Sequence, residues 1–301
     1  MDRKVTIIIG LLTFLALSTC NLACKTNNER NYRIYDVRIY KDTPVWKLAL
    51  AVKWQRKSKI EKLVKKNPHW LNYQEPRYGA TLLLWAVGTE KYNSAKTLLK
   101  CGADPNIATF EEETPLFIAA GYSWVDIYAK KDPKYVKLLL SYGADPNKCY
   151  VGSEKSIIES GTSPLMHSIG CGIEKTKALV EAGADINYKT KSGRTAAIDA
   201  LMRQGLIDYA YYLIVEKKAD VTEPFYIPIE PIDLNDLRYP VNLLRNWVFD
   251  LDSKEYEMKM EIVKEFARQG VDYWKTTIPK SKLEQIKKLY SSNWEEYIKK
   301  Y

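Results

Sequence analysis

The chain has 301 residues, 46% of them apolar and 28% charged, a globular composition with enough apolar material for one large core or two ordinary ones. Its net charge of +9 favours acidic partners or anionic surfaces without naming one. No helix-turn-helix, RNP-like or zinc-finger pattern accompanies that charge, so nucleic acid is not the expected partner.

The N-terminus assigns the compartment. Arg3 and Lys4 precede a 13-residue apolar run, Val5 to Leu17 (VTIIIGLLTFLAL), too short to span a bilayer and right for a signal peptide, so the chain is expected to be exported. The following LSTCNLAC puts Leu17 three residues before Cys20 and resembles the bacterial lipobox, which implies lipidation at Cys20 and a membrane tether. Thr19 departs from the usual Gly, Ala or Ser, and Cys24 has Ala23 before it but Asn21 three residues back. Ordinary cleavage after Ser18, with Ala16 at the −3 place, is the rival reading. Beyond this region Cys101, Cys149 and Cys171 remain, an odd number on different segments, for which at most one bridge and more simply none is expected.

Residues 25–42 read as a polar tether that passes into a short extended segment, because apolar and charged residues alternate from Arg33 to Ile39. A pattern then recurs. WKLALAV at 46–52, TLLLWAV at 81–87, TPLFIAA at 114–120, SPLMHSI at 163–169 and TAAIDAL at 195–201 share an apolar or small residue at the third place and a small one at the sixth. Each opens like a helix, with Thr114 as cap and Pro115 at the first helical position in the clearest copy. Each is followed by a second apolar run and a terminator: NPHWLN at 67–72, CGADPN at 101–106, YGADPN at 142–147, AGADIN at 182–187 and KKADVT at 217–222. In YGADPN, Gly143 is placed to end the preceding helix in a left-handed conformation.

A helix pair this short cannot bury its apolar faces alone and needs neighbours. The spacing of 33 residues from Thr81 to Thr114, with T-P-L and G-A-D-x-N at fixed offsets, resembles the ankyrin repeat over roughly residues 46–272. The resemblance implies an all-α solenoid of about six helix-turn-helix units with β-hairpin-like fingers. Units are expected near 43–76, 77–109, 110–158, 159–190, 191–236 and 237–274, within a domain at 43–274 that follows the signal region 1–24 and the 25–42 segment. The outer two units read as caps, the first carrying KWQRKSKIEKLVKK at 53–66 as a solubilising face. The tail 275–301 places Leu283, Ile286 and Leu289 or Tyr290 at helical spacing and is expected to pack on the C-terminal cap.

Three stretches break the period. Thr81 to Gly102 is 21 residues but Thr114 to Gly143 is 29, an excess of 8 between the helices of the third unit (GYSWVDIYAKKDPKY). Asn106 to Thr114 is 8 residues but Asn147 to Ser163 is 16, a second excess of 8 in the finger KCYVGSEKSIIESG. A third expansion at 223–236 carries three prolines, which forbid a regular helix. The third unit, with an insertion inside it and another after it, reads as the mount for a binding surface.

No catalytic constellation is legible. The two histidines, His69 and His167, lie about a hundred residues apart, and H-E-x-x-H, G-x-S-x-G, Walker and C-x-x-C patterns are absent. The chain is therefore read as no enzyme, with no cofactor, metal or small-molecule substrate. The resemblance implies a protein partner on the concave side formed by finger tips and first helices. That carries Tyr78, Phe110, Glu111, Glu112, Lys191 and Arg194 as candidates, with Tyr150, Val151, Ile157 and Ile158 from the inserted finger and Trp124 and Tyr128 from the inter-helix insertion. Exported bacterial proteins of this kind resemble two functional groups. Immunity proteins block a secreted toxic hydrolase or phospholipase at the periplasmic face of the outer membrane, and accessory factors support a periplasmic enzyme such as a catalase. Membrane-surface binding through the lysines at 53–66 is a third expectation.

Overall fold

The computed structural model describes residues 32–125, 131–152, 158–227 and 236–301. The signal region with Cys20, and Tyr128 and Ile157, lie outside the described residues. Five helices open on one chemical device. Thr81, Thr114, Ser163, Thr195 and Ser253 hold extended backbone while their hydroxyls accept the N–H three residues on, from Leu84, Phe117, Met166, Ile198 and Tyr256 at 3.0–3.2 Å. Pro115 and Pro164 stand at the first helical position, where a missing N–H costs nothing.

The helices fall into six pairs. They are α1 (Trp46–Lys53) with α2 (Lys57–Lys66), α3 (Leu82–Gly88) with α4 (Tyr92–Lys100), α5 (Pro115–Ala120) with α6 (Lys134–Leu140), and α7 (Pro164–His167) with α8 (Ile173–Glu181). Then come α9 (Ala196–Leu201) with α10 (Ile207–Tyr211), which runs on into a π-helical turn at Tyr212–Glu216, and α11 (Pro240–Leu244) with α12 (Lys254–Arg268). Every residue of α3 and of α5 is buried, because first helices are sandwiched between neighbouring pairs. The second helices α2, α4 and α12 are amphipathic, with one face on the core and lysines on the other. Among the described residues there is no strand, only an isolated bridge between Phe225 and Arg238, so the expected hairpin-like fingers are turns with hairpin hydrogen bonds.

The terminator motif links the pairs. Asn106 accepts from the Asp145 amide at 2.7 Å and donates to the Gly143 carbonyl at 2.9 Å. Asn147 repeats the arrangement on Asp185 and Gly183, and Asn187 accepts from Asp220. At the last step Gln269 takes over, accepting from Val221 and donating to Ala219. Within each motif the aspartate accepts the amide two residues on, as Asp145 does from Asn147 at 2.8 Å, which fixes the turn so that the Asn reaches the next pair. Gly143 has φ +81°, as the motif predicts; Lys218 occupies the matching place in KKADVT at φ 61°, a conformation that disfavours a side chain.

One expectation changes. Val37–Tyr40 is a 3-10 turn rather than an extended segment: Asp36 accepts the Arg38 amide, and a three-residue period puts Val37 and Tyr40 together on the buried side. The Tyr40 hydroxyl sits by the Ala80 and Thr81 carbonyls at 3.1 and 2.9 Å, which locks the segment to the second pair. At the start of the inter-helix insertion Trp124 packs where Gly88 has no side chain, its amide donating to the Gly88 carbonyl. Cys101, Cys149 and Cys171 are free thiols.

The tail forms α13 (Lys280–Leu289) and α14 (Trp294–Lys300) over a second small core of Val248, Ile286, Tyr297 and Tyr301. Leu289 is exposed, and Tyr290 does its packing by stacking on Tyr297 at 4.2 Å. Beneath the tail two cations are buried. Arg245 donates to the Tyr301 carbonyl and to the Thr276 hydroxyl at 3.1 Å, and lies 4.0 Å over the Tyr273 ring. Lys259 donates to the Trp247 carbonyl at 2.8 Å and lies 3.9 Å over the Tyr301 ring.

Burial, followed by the neighbouring Arg245, pushes the Lys259 ammonium down to about 7. The folded value is below the unfolded one, so between about 7 and 10.5 the unfolded chain binds more protons and stability rises with pH. The expected result is that Lys259→Met exceeds the natural chain in stability most at pH 6, with a margin that shrinks by pH 9. Paired thermal melts at the two pH values read this directly; a constant margin would contradict it.

Candidate protein-binding face

The finger turns are joined in a row by main-chain hydrogen bonds. The Phe110 amide donates to the Tyr78 carbonyl at 2.9 Å, the Gly152 amide to the Glu111 carbonyl at 3.0 Å, and the Tyr226 amide to the Ser192 carbonyl at 2.8 Å. The row therefore brings Tyr78, Phe110, Glu111 and Val151 together. Phe110 is 65% exposed and Val151 54%, and Glu111 is exposed beside them. Phe110 stands close against Gly79, whose φ of +71° and lack of a side chain let the ring in. Tyr78 is half-buried and its hydroxyl donates to the Tyr32 carbonyl, so it supports the row more than it offers itself. Lys191 is exposed one finger further along.

Three candidates are corrected. Tyr150 is 3% exposed: its ring stacks on Phe117 at 5.1 Å, and Phe117 stacks in turn on His167 at 4.2 Å. An apolar ring beside a first helix gains more from that burial than a finger tip would give it. Trp124 is half-buried on Gly88, as described above. Arg194 is a strut: it pairs with Glu159 at 3.1 Å and with Asp199 at 2.6 Å, and Glu159 also receives the Ser192 amide and hydroxyl. It thereby ties two fingers to α9.

The acidic spot at 111–113 divides. Glu112, at φ 60°, lies 3.7 Å from the Lys148 ammonium, while Glu113 turns inward, where burial and then Glu111 push its carboxyl up to about 7. Among the described residues no group of His, Cys, Asp and Glu is arranged to hold a metal ion. His167 is packed between Phe117 and the space left by Gly121, and burial followed by Lys175 pushes its imidazole down to about 4, so it is neutral at physiological pH.

Next to the row lies a cavity of about 350 Å³ that finger-tip reasoning missed. Ile158, Glu159 and Arg194 line it from the fingers, and His167, Asp199 and Met202 from the first helices. Burial, opposed by Arg194, pushes the Asp199 carboxyl up to about 6. Arg203 stands exposed at this cavity, within the electrostatic reach of the Asp199 carboxylate. Met202 beside it is 36% exposed. The sequence signal was available, since Met202 and Arg203 directly follow TAAIDAL, where a first helix ends and its side chains leave the stack.

Comparison with known proteins decides the family. The family described as "Ankyrin repeats (3 copies)" matches residues 48–149 and 126–224, more than half of the chain. The chain belongs to the ankyrin-repeat family. Ankyrin repeats are in general a non-catalytic module for protein–protein interaction, which the exposed row and its cavity suit. A putative ankyrin repeat protein of Rickettsia felis is 33% identical over 114 residues, 37% of this chain and 45% of that one. Protein PhlB of Serratia liquefaciens is 32% identical over 116 residues, 38% of this chain and 44% of that one. The nuclear factor NF-kappa-B p105 subunit of Gallus gallus is 27% identical over 165 residues, 54% of this chain and 15% of that one. The matched segment thus spans less than half the length of each of these relatives.

Proposed function

We propose that this ankyrin-repeat chain is an exported, lipid-anchored immunity protein that binds a secreted toxic hydrolase or phospholipase and occludes its active-site mouth. Export and the anchor rest on the apolar run 5–17 and on Cys20, which would hold the protein on the periplasmic face of the outer membrane. The observation that carries the binding reading is the juxtaposition of exposed Phe110 and Val151, on a row fixed by hydrogen bonds, with a cavity at whose edge Arg203 is exposed. Aromatic and Arg side chains dominate interface energies when a partner buries them. A rigid face of this kind, whose strut Arg194 already satisfies Glu159 and Asp199, is suited to covering another protein's surface.

The test uses an exported hydrolase encoded beside this chain. The expected result is a stable complex in which the hydrolase loses activity, with Arg203→Glu and Phe110→Ala each weakening it by about 2–4 kcal/mol, roughly thirtyfold to a thousandfold. No complex, together with survival of cells that lack the protein when the hydrolase is delivered, would rule the proposal out. Loss of a resident enzyme's activity on deletion, with unchanged sensitivity to attack, would instead make it an accessory factor.

A further inference from the structure

The second helices of the six pairs divide by charge. On the first three pairs, α2, α4 and α6 carry nine lysines and one acidic residue, Glu61. Five of the lysines lie on α2, where only Lys57 approaches a carboxylate, Glu61 at 3.9 Å. Lys59, Lys62, Lys65 and Lys66 are exposed with no carboxylate partner among the described residues. Lys96 and Lys100 extend the same array on α4, and Lys137 on α6. On the other three pairs, α8, α10 with its π turn, and α12 hold eight acidic residues against six basic ones, and two of the six, Lys175 and Lys259, are buried. A solubilising cap needs charge but not one sign of charge spread over three successive pairs, so the segregation calls for a cause of its own.

At the edge of the basic half stands Trp54, 61% exposed, with the Lys53 ammonium 5.1 Å from its ring centre. It lies in the turn between α1 and α2 and directly precedes the lysine-rich helix. An exposed indole beside a field of lysines matches the border of an anionic phospholipid surface, where the ring sits among headgroups and the ammonium groups meet phosphates. The array is carried on neighbouring outer helices and not in a groove; the cavity of about 860 Å³ on the outer side is lined by α8, α10 and α12, in the acidic half. No helix among the described residues is long and apolar enough to cross a membrane, so this contact would be peripheral.

We infer that the outer face of the first three pairs, from Trp54 across Lys59, Lys62 and Lys66 to Lys96, docks on an anionic phospholipid bilayer. The finger row and the Arg203 cavity lie on the opposite side of the first helices and stay open to a partner. This inference does not depend on the identity of that partner.

The test is sedimentation of the full chain with vesicles of phosphatidylcholine alone and of phosphatidylcholine with about one-third phosphatidylglycerol. The apolar N-terminal run meets both vesicles alike, and the Gln substitutions below separate the basic face from Arg3 and Lys4. The expected result is at least about tenfold preference for the anionic vesicles at 0.1 M salt, largely abolished near 1 M, where the screening length falls to about 3 Å. Replacing Lys59, Lys62, Lys66 and Lys96 by Gln is expected to cost about fivefold per lysine and remove the preference, while Arg at the same places retains it. Lys254→Gln with Lys264→Gln, in the acidic half, should leave it unchanged. Equal uptake by both vesicles, a preference that survives the four Gln substitutions, or tighter binding of a DNA duplex than of anionic vesicles would overturn the inference.

Discussion

Phe117→Ala is expected to destabilise the stack by about 3–5 kcal/mol, the largest single effect in the central repeats. Phe117 is 1% exposed and is the middle ring of three, parallel to Tyr150 within 12° and to His167 within 14°. Truncation removes a buried aromatic ring and leaves both neighbours facing a void, so the cavity adds to the lost transfer energy. The loss reaches the inserted finger, because Tyr150 holds its base: its amide donates to the Thr162 carbonyl and the Gly161 amide donates back to Tyr150 at 2.7 Å. Denaturant unfolding at neutral pH measures it. His167 offers a local readout, since burial is the main cause that holds its imidazole down to about 4, and the variant should let it titrate nearer the ordinary 6.5. Unchanged stability would mean the three rings are not a packed unit.

Arg245→Ala is expected to cost about 3–5 kcal/mol and to release α13 and α14 from the last pair. Its guanidinium is 4% exposed and joins α11 to the tail through the Tyr301 carbonyl, the Thr276 hydroxyl and the Tyr273 ring. Without it the Tyr301 carbonyl is left buried without that donor, and the Tyr301 hydroxyl, which donates to the Arg245 carbonyl, loses its setting. Amide exchange is the discriminating measurement: protection should collapse first across residues 280–300 while α3 to α6 keep theirs. Arg245→Lys should not rescue, since a compact ammonium cannot make the forked contacts and lie over the ring as well. Uniform loss of protection along the chain would contradict a separately held tail.

Much of the fold was legible because the repeats use side chains whose chemistry is local. A Thr or Ser that caps, a Pro that follows it, and a G-A-D-x-N turn act within a few residues, so Thr114, Pro115 and Gly143 could be placed from spacing alone. The Arg33–Ile39 stretch misled because alternation at two residues and a 3-10 period of three agree over so short a run, and the decisive contact, Tyr40 with Ala80 and Thr81, lies forty residues away. The burial of Arg245 and Lys259 has no local signal, because Tyr273 and Tyr301, from later in the chain, are what close over them.

The exposure of the candidate face was half legible. Phe110, Glu111 and Val151 follow from finger position, because a tip has little to pack against. Tyr150 and Arg194 did not, because an eight-residue insertion leaves open which ring turns inward, and the strut Arg194 makes with Glu159 and Asp199 joins residues up to thirty-five positions apart. The cavity at Arg203 is assembled from fingers and helices of successive units, a relation that exists only once they are stacked.

Site-directed photo-cross-linking tests the binding face most directly. A photoreactive side chain at Phe110, Val151 or Met202 should join the chain to a protein partner in cells, the proposed hydrolase among the candidates, while one at Lys254 or Lys264, on the outer side of α12, should not. Cross-links from the α12 positions with none from Phe110, Val151 and Met202 would contradict a partner on the finger row and its cavity.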